Sequence, residues 1–311
     1  MNIVIAGAGA GAMGSTYASM LSKKNEVVLL DMWQDNIDEI NKNGVKLNNL
    51  GDDEVYNIKA YRPEEYNGRA DLLIVFTKSM QLPQMLDSVK HLLSENTYVL
   101  CLLNGLGHID TLKKYVKEDK IIMGVTVLTA GMYGAGRFSV SSYGMTEIQN
   151  ISEEGEEFVR EFAKNLDICG LPCVYSEDIM YSIWRKACIN GTMNSVCTIL
   201  DCNMNDLSKV DNIKSMIEGI ISEFSDVAKK EGVEIDKKKM TDFVMWYTTD
   251  EFKGRFHYPS MHQDLIQNHR KTEIDYLNGY VSKKDKEYGL STPYCDTVTI
   301  IIHGRENMLV K

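Results

Sequence analysis

Apolar and polar residues alternate in two different ways along this chain, and the change comes near residue 176. Before it, short apolar runs bounded by glycine and polar residues are typical of buried strands. The predicted strands cover residues 2–6, 26–30, 71–76, 98–103, 121–129, 138–141, 146–149 and 173–175, with helices at 15–23, 36–43 and 153–165. After it, apolar residues recur at helical spacing through 177–200, 209–231, 236–250, 260–286 and 293–308.

This change of pattern predicts two domains. Alternating strands and helices over residues 1–175 are typical of an α/β domain with a parallel sheet. Residues 176–311 predict an all-helical domain. The chain has 311 residues, which is long enough for two hydrophobic cores.

A glycine-rich turn joins the first predicted strand to the first predicted helix. Residues 7–14 read Gly-Ala-Gly-Ala-Gly-Ala-Met-Gly, and the glycines at 9, 11 and 14 have the spacing of a dinucleotide-binding loop. Glycines there let the backbone approach a pyrophosphate, which lies at the positive N-terminus of the helix. A tight turn without a ligand is the alternative. We therefore expect a Rossmann-type domain with these candidate cofactor-binding residues: Gly9, Gly11, Ala12, Met13 and Gly14.

Three further polar residues stand where predicted parallel strands end, at the edge where α/β sheets bind ligands. Asp31 lies about twenty residues after the glycine loop, where a carboxylate binds the adenosine ribose. Its charge favours NADH over NADPH, and capping of the next helix is the alternative. Asn104 is expected to face the nicotinamide. For Lys78, spacing alone does not decide between a ligand contact and an ordinary surface lysine.

The helical half carries a polar stripe on an apolar helix. Residues 184–194 read Trp-Arg-Lys-Ala-Cys-Ile-Asn-Gly-Thr-Met-Asn. Residues four apart lie on one side of a helix, with a drift of roughly 40° per step, so Lys186, Asn190 and Asn194 form one row. The row is either a solvated face, with its amides bonded to nearby backbone, or a cleft wall that binds an oxygen-rich substrate. In a cleft, Lys186 is a candidate for proton transfer.

Two later segments also carry candidate polar side chains. They read Tyr-Pro-Ser-Met-His-Gln-Asp at 258–264 and Lys-Thr-Glu-Ile-Asp-Tyr-Leu-Asn-Gly at 271–279. Glu273 and Asp275 flank one apolar residue, so on a helix they point to different sides. One of them is expected to face a cleft beside Lys186. Arg270 and Lys271 are candidate surface partners for these acids.

Composition narrows the class of protein. The 34 basic and 44 acidic residues give a net charge of −10, which argues against a nucleic-acid partner. No apolar run reaches the ~18 residues of a membrane span, and the first residues do not resemble a signal peptide, so we expect a cytoplasmic protein. The seven cysteines form no CxxC pair and the histidines lack ligand spacing, which predicts free buried thiols and no metal site.

Together these motifs resemble the ketopantoate reductase (2-dehydropantoate 2-reductase) family. The resemblance covers the glycine loop, Thr77-Lys78 and residues 103–107, and it is most specific at 184–194, 260–264 and 272–279. It implies a Rossmann-type domain followed by a helical domain like the C-terminal domain of 6-phosphogluconate dehydrogenase. It also implies hydride transfer from NADPH or NADH to C2 of 2-dehydropantoate, which gives (R)-pantoate for pantothenate and coenzyme A biosynthesis.

The resemblance also implies roles for individual residues. Lys186 matches the general acid that protonates the carbonyl oxygen, and Glu273 matches the glutamate that binds the substrate hydroxyl and orients the lysine. The other matches hold the substrate or border the nicotinamide: Asn190, Asn194 and Ser260 the substrate, Lys78 the cofactor, and Asn104 both. A homodimer through the helical half follows by analogy.

Two features depart from the family pattern. The glycine loop is longer than the usual short form, so the register of its phosphate-contacting glycines stays open. Members that use NADPH commonly carry a basic residue where this chain has Asp31, so the family default is NADPH while the charge favours NADH. Two other functions also stay open: a related two-domain dehydrogenase for another 2-oxo or 3-hydroxy acid, and a dinucleotide sensor without catalysis.

Overall fold

The described residues, 1–7 and 11–310 of a computed structural model, fall into two compact units. Unit 1 comprises Met1–Leu103 and His108–Ile179, and unit 2 comprises Asn104–Gly107 and Met180–Lys311. The short segment Asn104–Gly107 therefore clusters with the helical half, although it directly follows a strand of unit 1. The boundary predicted between residues 175 and 176 stays a prediction.

Unit 1 is built on one mixed sheet. Within the described residues its ten strands are β1 (Asn2–Ala6), β2 (Glu26–Leu30), β3 (Val45–Asn49), β4 (Asp52–Tyr56), β5 (Lys59–Tyr61), β6 (Leu72–Val75), β7 (Tyr98–Cys101), β8 (Ile121–Gly134), β9 (Arg137–Asn150) and β10 (Cys173–Tyr175). Its helices are α1 (Ala12–Leu21), α2 (Gln34–Asn43), α3 (Leu82–Val89), α4 (His108–Leu112) and α5 (Glu156–Ile168). The strand order is β4-β3-β9-β8-β7-β6-β1-β2-β5, with β10 beside β9.

The Rossmann part of this sheet is the parallel run from β5 through β2, β1, β6 and β7 to β8. The chain passes from β1 to β2 beside it, forms β3 and β4 at the far end of the sheet, and returns to pair β5 with β2. It then crosses to the other side of β1 for β6, β7 and β8. The strand order therefore reverses between β1 and β6, and such a reversal opens a crevice at the carboxyl ends of the strands. Every residue of β6 is buried, as the unbroken apolar pattern of a central parallel strand predicts.

The outer half of the sheet differs from the prediction. The two short strands expected at 138–141 and 146–149 are parts of the single strand β9, which pairs antiparallel with an extended β8. The register shifts at three places along this pair, including one between Thr126 and Leu128. Such irregularities break the strict alternation of inward and outward side chains. The alternation of apolar and polar residues is therefore interrupted in the sequence, although the backbones of β8 and β9 continue to pair.

Unit 2 contains helices and helical turns joined by irregular segments, with no strand among its described residues. Its helices are α6 (Ile179–Ile189, with its first residue in unit 1), α7 (Ser195–Leu200), α8 (Met204–Leu207), α9 (Ile213–Lys230), α10 (Lys237–Trp246), α11 (Ser260–His262), α12 (Asn278–Tyr288) and α13 (Pro293–Leu309). Buried Trp184 and Phe224 meet edge to face in the core, with ring centroids 6.3 Å apart. The predicted fold class, a Rossmann-type sheet domain followed by a helical domain, is confirmed. Among the described helices, none has the length and apolar character needed to cross a membrane.

The continuous helix predicted over 260–286 is wrong. One turn of α11 leads into a π-helical turn at Gln263–Gln267, and a single 3₁₀ turn at Ile274–Tyr276 precedes α12. His269 has a left-handed backbone with φ of 50°, which L-residues do not adopt within a right-handed helix. Glu273 consequently lies on an irregular segment rather than on a helix face.

Candidate active site

The helix that carries the polar stripe changes from an α-helix to a wider π-helical turn within the stripe. Lys186 is on α6, and Asn190–Asn194 form a π-helical turn that continues into α7. A four-residue step overshoots a full α-turn by roughly 40°, whereas the wider π-turn is closed by i→i+5 bonds and holds more residues. The step from Asn190 to Asn194 therefore falls short of a full turn, which offsets the drift from Lys186 to Asn190.

The widened turn leaves a backbone carbonyl that another element satisfies. The Gly191 carbonyl accepts a hydrogen bond from Nδ2 of Asn278 at 3.0 Å, and the Ser195 hydroxyl also donates to it. Asn278 is buried and is the first residue of α12. Its amide thus connects the start of α12 to the segment that carries Asn190 and Asn194.

Polar side chains from four segments of unit 2 surround one small pocket. Its lining residues are Asn104, Asn190, Asn194, Ser260, Met261, Asp264, Glu273 and Leu277, around about 250 Å³ of space that includes the opening to solvent. Nδ2 of Asn194 donates to Oγ of Ser260 at 3.3 Å. Asn194 is therefore bonded across the pocket rather than to its own helix, and the structure brings together five residues that the sequence singled out separately.

Lys186 interacts electrostatically with this pocket through Glu273. Burial lowers the pKa of Lys186 from its usual 10.5 to about 8, and the negative charge of Glu273 acts in the opposite direction. An ammonium group with a pKa near 8 is protonated at neutral pH and gives up its proton readily. These are the properties that a general acid needs.

The segment Asn104–Gly107 is attached to the Glu273 segment by its backbone. The Leu106 amide donates to the Tyr276 carbonyl at 2.9 Å. Gly105 has φ of +98°, and an added Cβ would lie 2.6 Å from the same carbonyl oxygen. Glycine is therefore required at this position, because a side chain would both strain the backbone and push the two segments apart. This attachment explains how Asn104 reaches the pocket.

The predicted nucleotide site in unit 1 is described in part. Gly9 lies outside the described residues. Gly11 directly precedes α1, and Ala12, Met13 and Gly14 form its first turn, which contains no acidic residue. A Cβ on Gly7 would collide with the backbone carbonyl of Phe76, so glycine permits β1 and β6 to stay close where the strand order reverses. A helix N-terminus at such a crevice suits the pyrophosphate of a dinucleotide.

Asp31 and Lys78 stand at the strand ends where the sequence predicted them. The Asp31 carboxylate is buried, and it accepts hydrogen bonds from the Trp33 amide at 2.8 Å and from Nδ2 of Asn36 at 2.6 Å. It thus organises the turn between β2 and α2, while each carboxylate oxygen retains capacity for a further donor. Lys78 follows β6 and precedes the short turn Ser79–Gln81. Their roles toward a cofactor stay predictions.

Sequence reasoning did not find Glu306 and His303, or the contacts they make with residues beside Glu273. Thr272 and Glu306 are hydrogen-bonded to each other across 34 residues of sequence, and His303 bonds to Asp275. Arg270, a candidate partner for Glu273 or Asp275, pairs with Asp264 at 2.8 Å instead. The available signal for Glu306 in the sequence was an acidic residue in a helix that carries an apolar run. If such a residue is buried, its carboxylate needs hydrogen-bond donors.

Cysteine and metal chemistry play no part in the geometry described so far. The seven cysteines are free thiols, and all but Cys202 are buried. Burial raises the pKa of Cys101 to about 12, so this thiol stays protonated at neutral pH. Within residues 1–7 and 11–310, no group of three or more His, Cys, Asp or Glu side chains is arranged to hold a metal ion.

Comparison with known proteins identifies the family to which the chain belongs. The family models "Ketopantoate reductase PanE/ApbA" and "Ketopantoate reductase PanE/ApbA C terminal" match residues 3–153 and 178–306. The 2-dehydropantoate 2-reductase of Lactococcus lactis subsp. lactis is 45% identical over 99% of each chain, and that of Streptococcus pyogenes serotype M3 is 44% identical over 97% of each. A ternary structure of D-mandelate dehydrogenase with NADH and anilino(oxo)acetate is 42% identical, with a TM-score of 0.93 over 99% of both chains.

The resemblance inferred from the sequence motifs is confirmed by both family models and by relatives that match nearly the whole length. The chain belongs to the ketopantoate reductase family of NAD(P)H-dependent oxidoreductases.

Proposed function

We propose that this enzyme reduces 2-dehydropantoate to (R)-pantoate, a step toward pantothenate and coenzyme A. The observation that carries the proposal is the pocket of unit 2, where three asparagines, a serine and a glutamate surround a small space and Glu273 acts on a lysine with a pKa near 8. A 2-oxo acid with a hydroxyl group offers carboxylate, carbonyl and hydroxyl oxygens to such a lining. A protein that only sensed dinucleotides would not need this set of groups.

In the proposed reaction, the hydride and the proton come from two different groups. When bound, the reduced nicotinamide supplies the hydride to C2. Lys186 donates a proton from Nζ to the carbonyl oxygen, which becomes the hydroxyl of the product and leaves the lysine neutral. Glu273 accepts a hydrogen bond from the substrate hydroxyl and keeps the ammonium group charged. Asn190, Asn194, Ser260 and Asn104 fix the substrate oxygens, because amides and hydroxyls both donate and accept.

We assign the cofactor to residues 1–175 and the substrate to residues 176–311. The proposed cofactor contacts are Gly9, Gly11, Ala12, Met13, Gly14, Asp31, Lys78 and Asn104. We favour NADH over NADPH, since the Asp31 carboxylate repels a 2′-phosphate, and the relative with D-mandelate dehydrogenase activity is bound to NADH. We also place the enzyme in the cytoplasm as a homodimer through its helical unit.

A second candidate is the reduction of a different 2-oxo acid, such as phenylglyoxylate, the oxidised form of mandelate. The observation that favours it is the 42% identity to D-mandelate dehydrogenase over 99% of both chains. Met261 and Leu277 give the pocket lining an apolar side, which suits contact with an apolar substituent. The two candidates share the lysine chemistry and differ in what Glu273 contacts.

Initial rates with three substrates separate the candidates. We propose to compare 2-dehydropantoate, its analogue without the hydroxyl (3,3-dimethyl-2-oxobutanoate) and phenylglyoxylate, each with NADH and NADPH. If Glu273 binds the hydroxyl, the analogue should lose about 10²-fold or more in kcat/KM, since a polar site rejects a ligand that leaves it unpaired. A kcat/KM for phenylglyoxylate above that for 2-dehydropantoate would favour the second candidate. Cofactor binding without reduction of any of the three would contradict both.

A further inference from the structure

Glu273 lies on an irregular segment, where regular backbone hydrogen bonding does not hold its side chain in place. It directly precedes the single 3₁₀ turn Ile274–Tyr276, and its backbone is neither helical nor extended. Regular hydrogen bonding holds a side chain in place on a helix or strand, but here contacts from elsewhere must do so. Leu106 bonds to Tyr276 at the end of the segment, and α13 contacts Thr272 and Asp275 on either side of Glu273.

The first contact holds the residue before Glu273. The Thr272 amide and hydroxyl both donate to Oε1 of Glu306, at 2.6 and 2.7 Å. The Thr272 hydroxyl oxygen in turn accepts from the Ile274 amide at 3.3 Å. Thr272 is 4% exposed and Glu306 is 7% exposed, so water competes little for these bonds and they are strong.

The second contact holds the segment after Glu273. Nε2 of His303 lies 2.9 Å from Oδ1 of Asp275, and Nδ1 of the same ring lies 3.0 Å from Oε2 of Glu306. Burial opposes protonation of His303, but its bonds to Glu306 and Asp275 outweigh burial and raise its pKa. His303 and Glu306 are three residues apart, so they share one face of α13. One face of this helix therefore contacts residues on both sides of Glu273: the backbone and hydroxyl of Thr272, and the carboxylate of Asp275.

We propose that Glu306 is a positioning residue for Glu273, which it holds through Thr272 and through the His303–Asp275 contact. This inference rests on the proposed function, in which Glu273 contacts the substrate and Lys186. Glu306 itself touches neither in this scheme. Loss of its bonds to Thr272 would let the Glu273 carboxylate move away from the lysine while the protein stays folded.

The test uses Thr272→Val, which keeps the branched shape and the amide but removes the hydroxyl. Thr272→Ser keeps the hydroxyl and serves as the conservative rescue. Thr299→Val is the matched control, because the Thr299 hydroxyl on α13 bonds to its own helix at the Cys295 carbonyl. The first measurement is the pKa of Lys186, obtained by NMR titration of isotope-labelled lysines in the full chain. The signal of Lys186 is assigned by its absence from the spectrum of Lys186→Met.

The charge of Glu273 raises the pKa of Lys186, so displacement of Glu273 should lower that pKa. We expect a downward shift of about half a unit or more in Thr272→Val, and less than about 0.2 units in Thr272→Ser and Thr299→Val. With the best 2-oxo acid, kcat should fall about tenfold in Thr272→Val with an unchanged Kd for the cofactor, because orientation rather than binding is lost. A purely structural role would lower the melting temperature without moving the pKa of Lys186.

The outcomes separate this inference from the proposed function. An unchanged Lys186 pKa and kcat in folded Thr272→Val would overturn the positioning role even if the wild type reduces 2-dehydropantoate. A shifted pKa in an enzyme that reduces no 2-oxo acid would leave the positioning role standing and remove the proposed function. If Thr272→Val does not fold, Glu306→Met replaces it, because it removes the acceptor of both Thr272 bonds; the same shift is expected, and an unchanged pKa there overturns the inference.

Discussion

Burial of the Lys186 ammonium group should make this enzyme less stable than it would be without the charge. The pKa of Lys186 falls from its usual 10.5 to about 8, a net value that already includes the opposing attraction of Glu273. One pKa unit corresponds to about 1.4 kcal/mol, so the shift amounts to about 3 kcal/mol of unfolding free energy at neutral pH. Lys186→Met keeps the length and the apolar stem of the side chain and removes the charge. We expect this variant to be inactive and more stable than the wild type.

The sign of the pH dependence follows from proton binding. Between about pH 8 and 10.5 the unfolded chain still binds the lysine proton and the folded chain has lost it. Where the unfolded state binds more protons, stability rises with pH. The destabilisation is thus fully present below about pH 8 and disappears toward pH 10.5. The advantage of Lys186→Met should therefore be about 3 kcal/mol at pH 7 and small at pH 10.5.

Urea denaturation of both proteins at several pH values measures this difference directly. Groups common to both proteins titrate alike and cancel in the comparison. Lys283→Met is the matched control, since that lysine is exposed on α12 and its replacement removes one surface charge. The reasoning is refuted if Lys186→Met is no more stable than the wild type at pH 7. It is also refuted if its effect is the same at pH 7 and pH 10.5.

Three further predictions concern single residues of the two sites. Glu273→Gln should shift the alkaline fall of kcat to lower pH, below about 8, because the neighbouring lysine loses the charge that raises its pKa; an unshifted pH–rate profile would contradict the coupling. Asp31→Asn should reduce the ratio of kcat/KM for NADH over NADPH by about fivefold or more, since a charge about 4 Å from a 2′-phosphate contributes about 1 kcal/mol in water and more where the carboxylate is buried; an unchanged ratio would exclude Asp31 from cofactor choice. Gly105→Ala should lower kcat/KM and the melting temperature, since its Cβ would meet a backbone oxygen at 2.6 Å, whereas Gly232→Ala, also at positive φ but with open space around it, should affect stability without affecting kcat/KM.

Local pattern was sufficient to predict five of the six parallel strands in the Rossmann part of the fold, but not the three-residue strand β5. The strands at 72–75 and 98–101 are apolar on both faces, as buried parallel strands are. Such apolar runs can be recognised in the sequence without knowledge of the elements that pack against them. The long β8–β9 pair could not be predicted, because its register shifts interrupt the alternation of apolar and polar residues on which a strand prediction depends.

The candidate site was predictable as a set of residues, but its arrangement was not. Helical spacing aligned Lys186 with the two asparagines, yet the π-helical turn that sets their relative direction has no sequence signature of its own. Glu273 was expected on a helix and lies on an irregular segment held by Glu306, which is 33 positions further along the chain. Asn104 was assigned to the sheet edge and clusters with the helical unit, through a hydrogen bond between Leu106 and Tyr276. Contacts of this kind depend on the folded backbone rather than on local propensity.

The central claim is that Lys186 supplies the proton when a 2-oxo acid is reduced. Its most direct test is the single-turnover rate of NADH oxidation by 2-dehydropantoate in the wild type and in Lys186→Met, with the cofactor Kd measured in parallel. The account predicts a loss of about 10²–10⁴-fold in the rate, the usual contribution of a general acid, with unchanged cofactor binding. A rate within a few-fold of the wild type would contradict it.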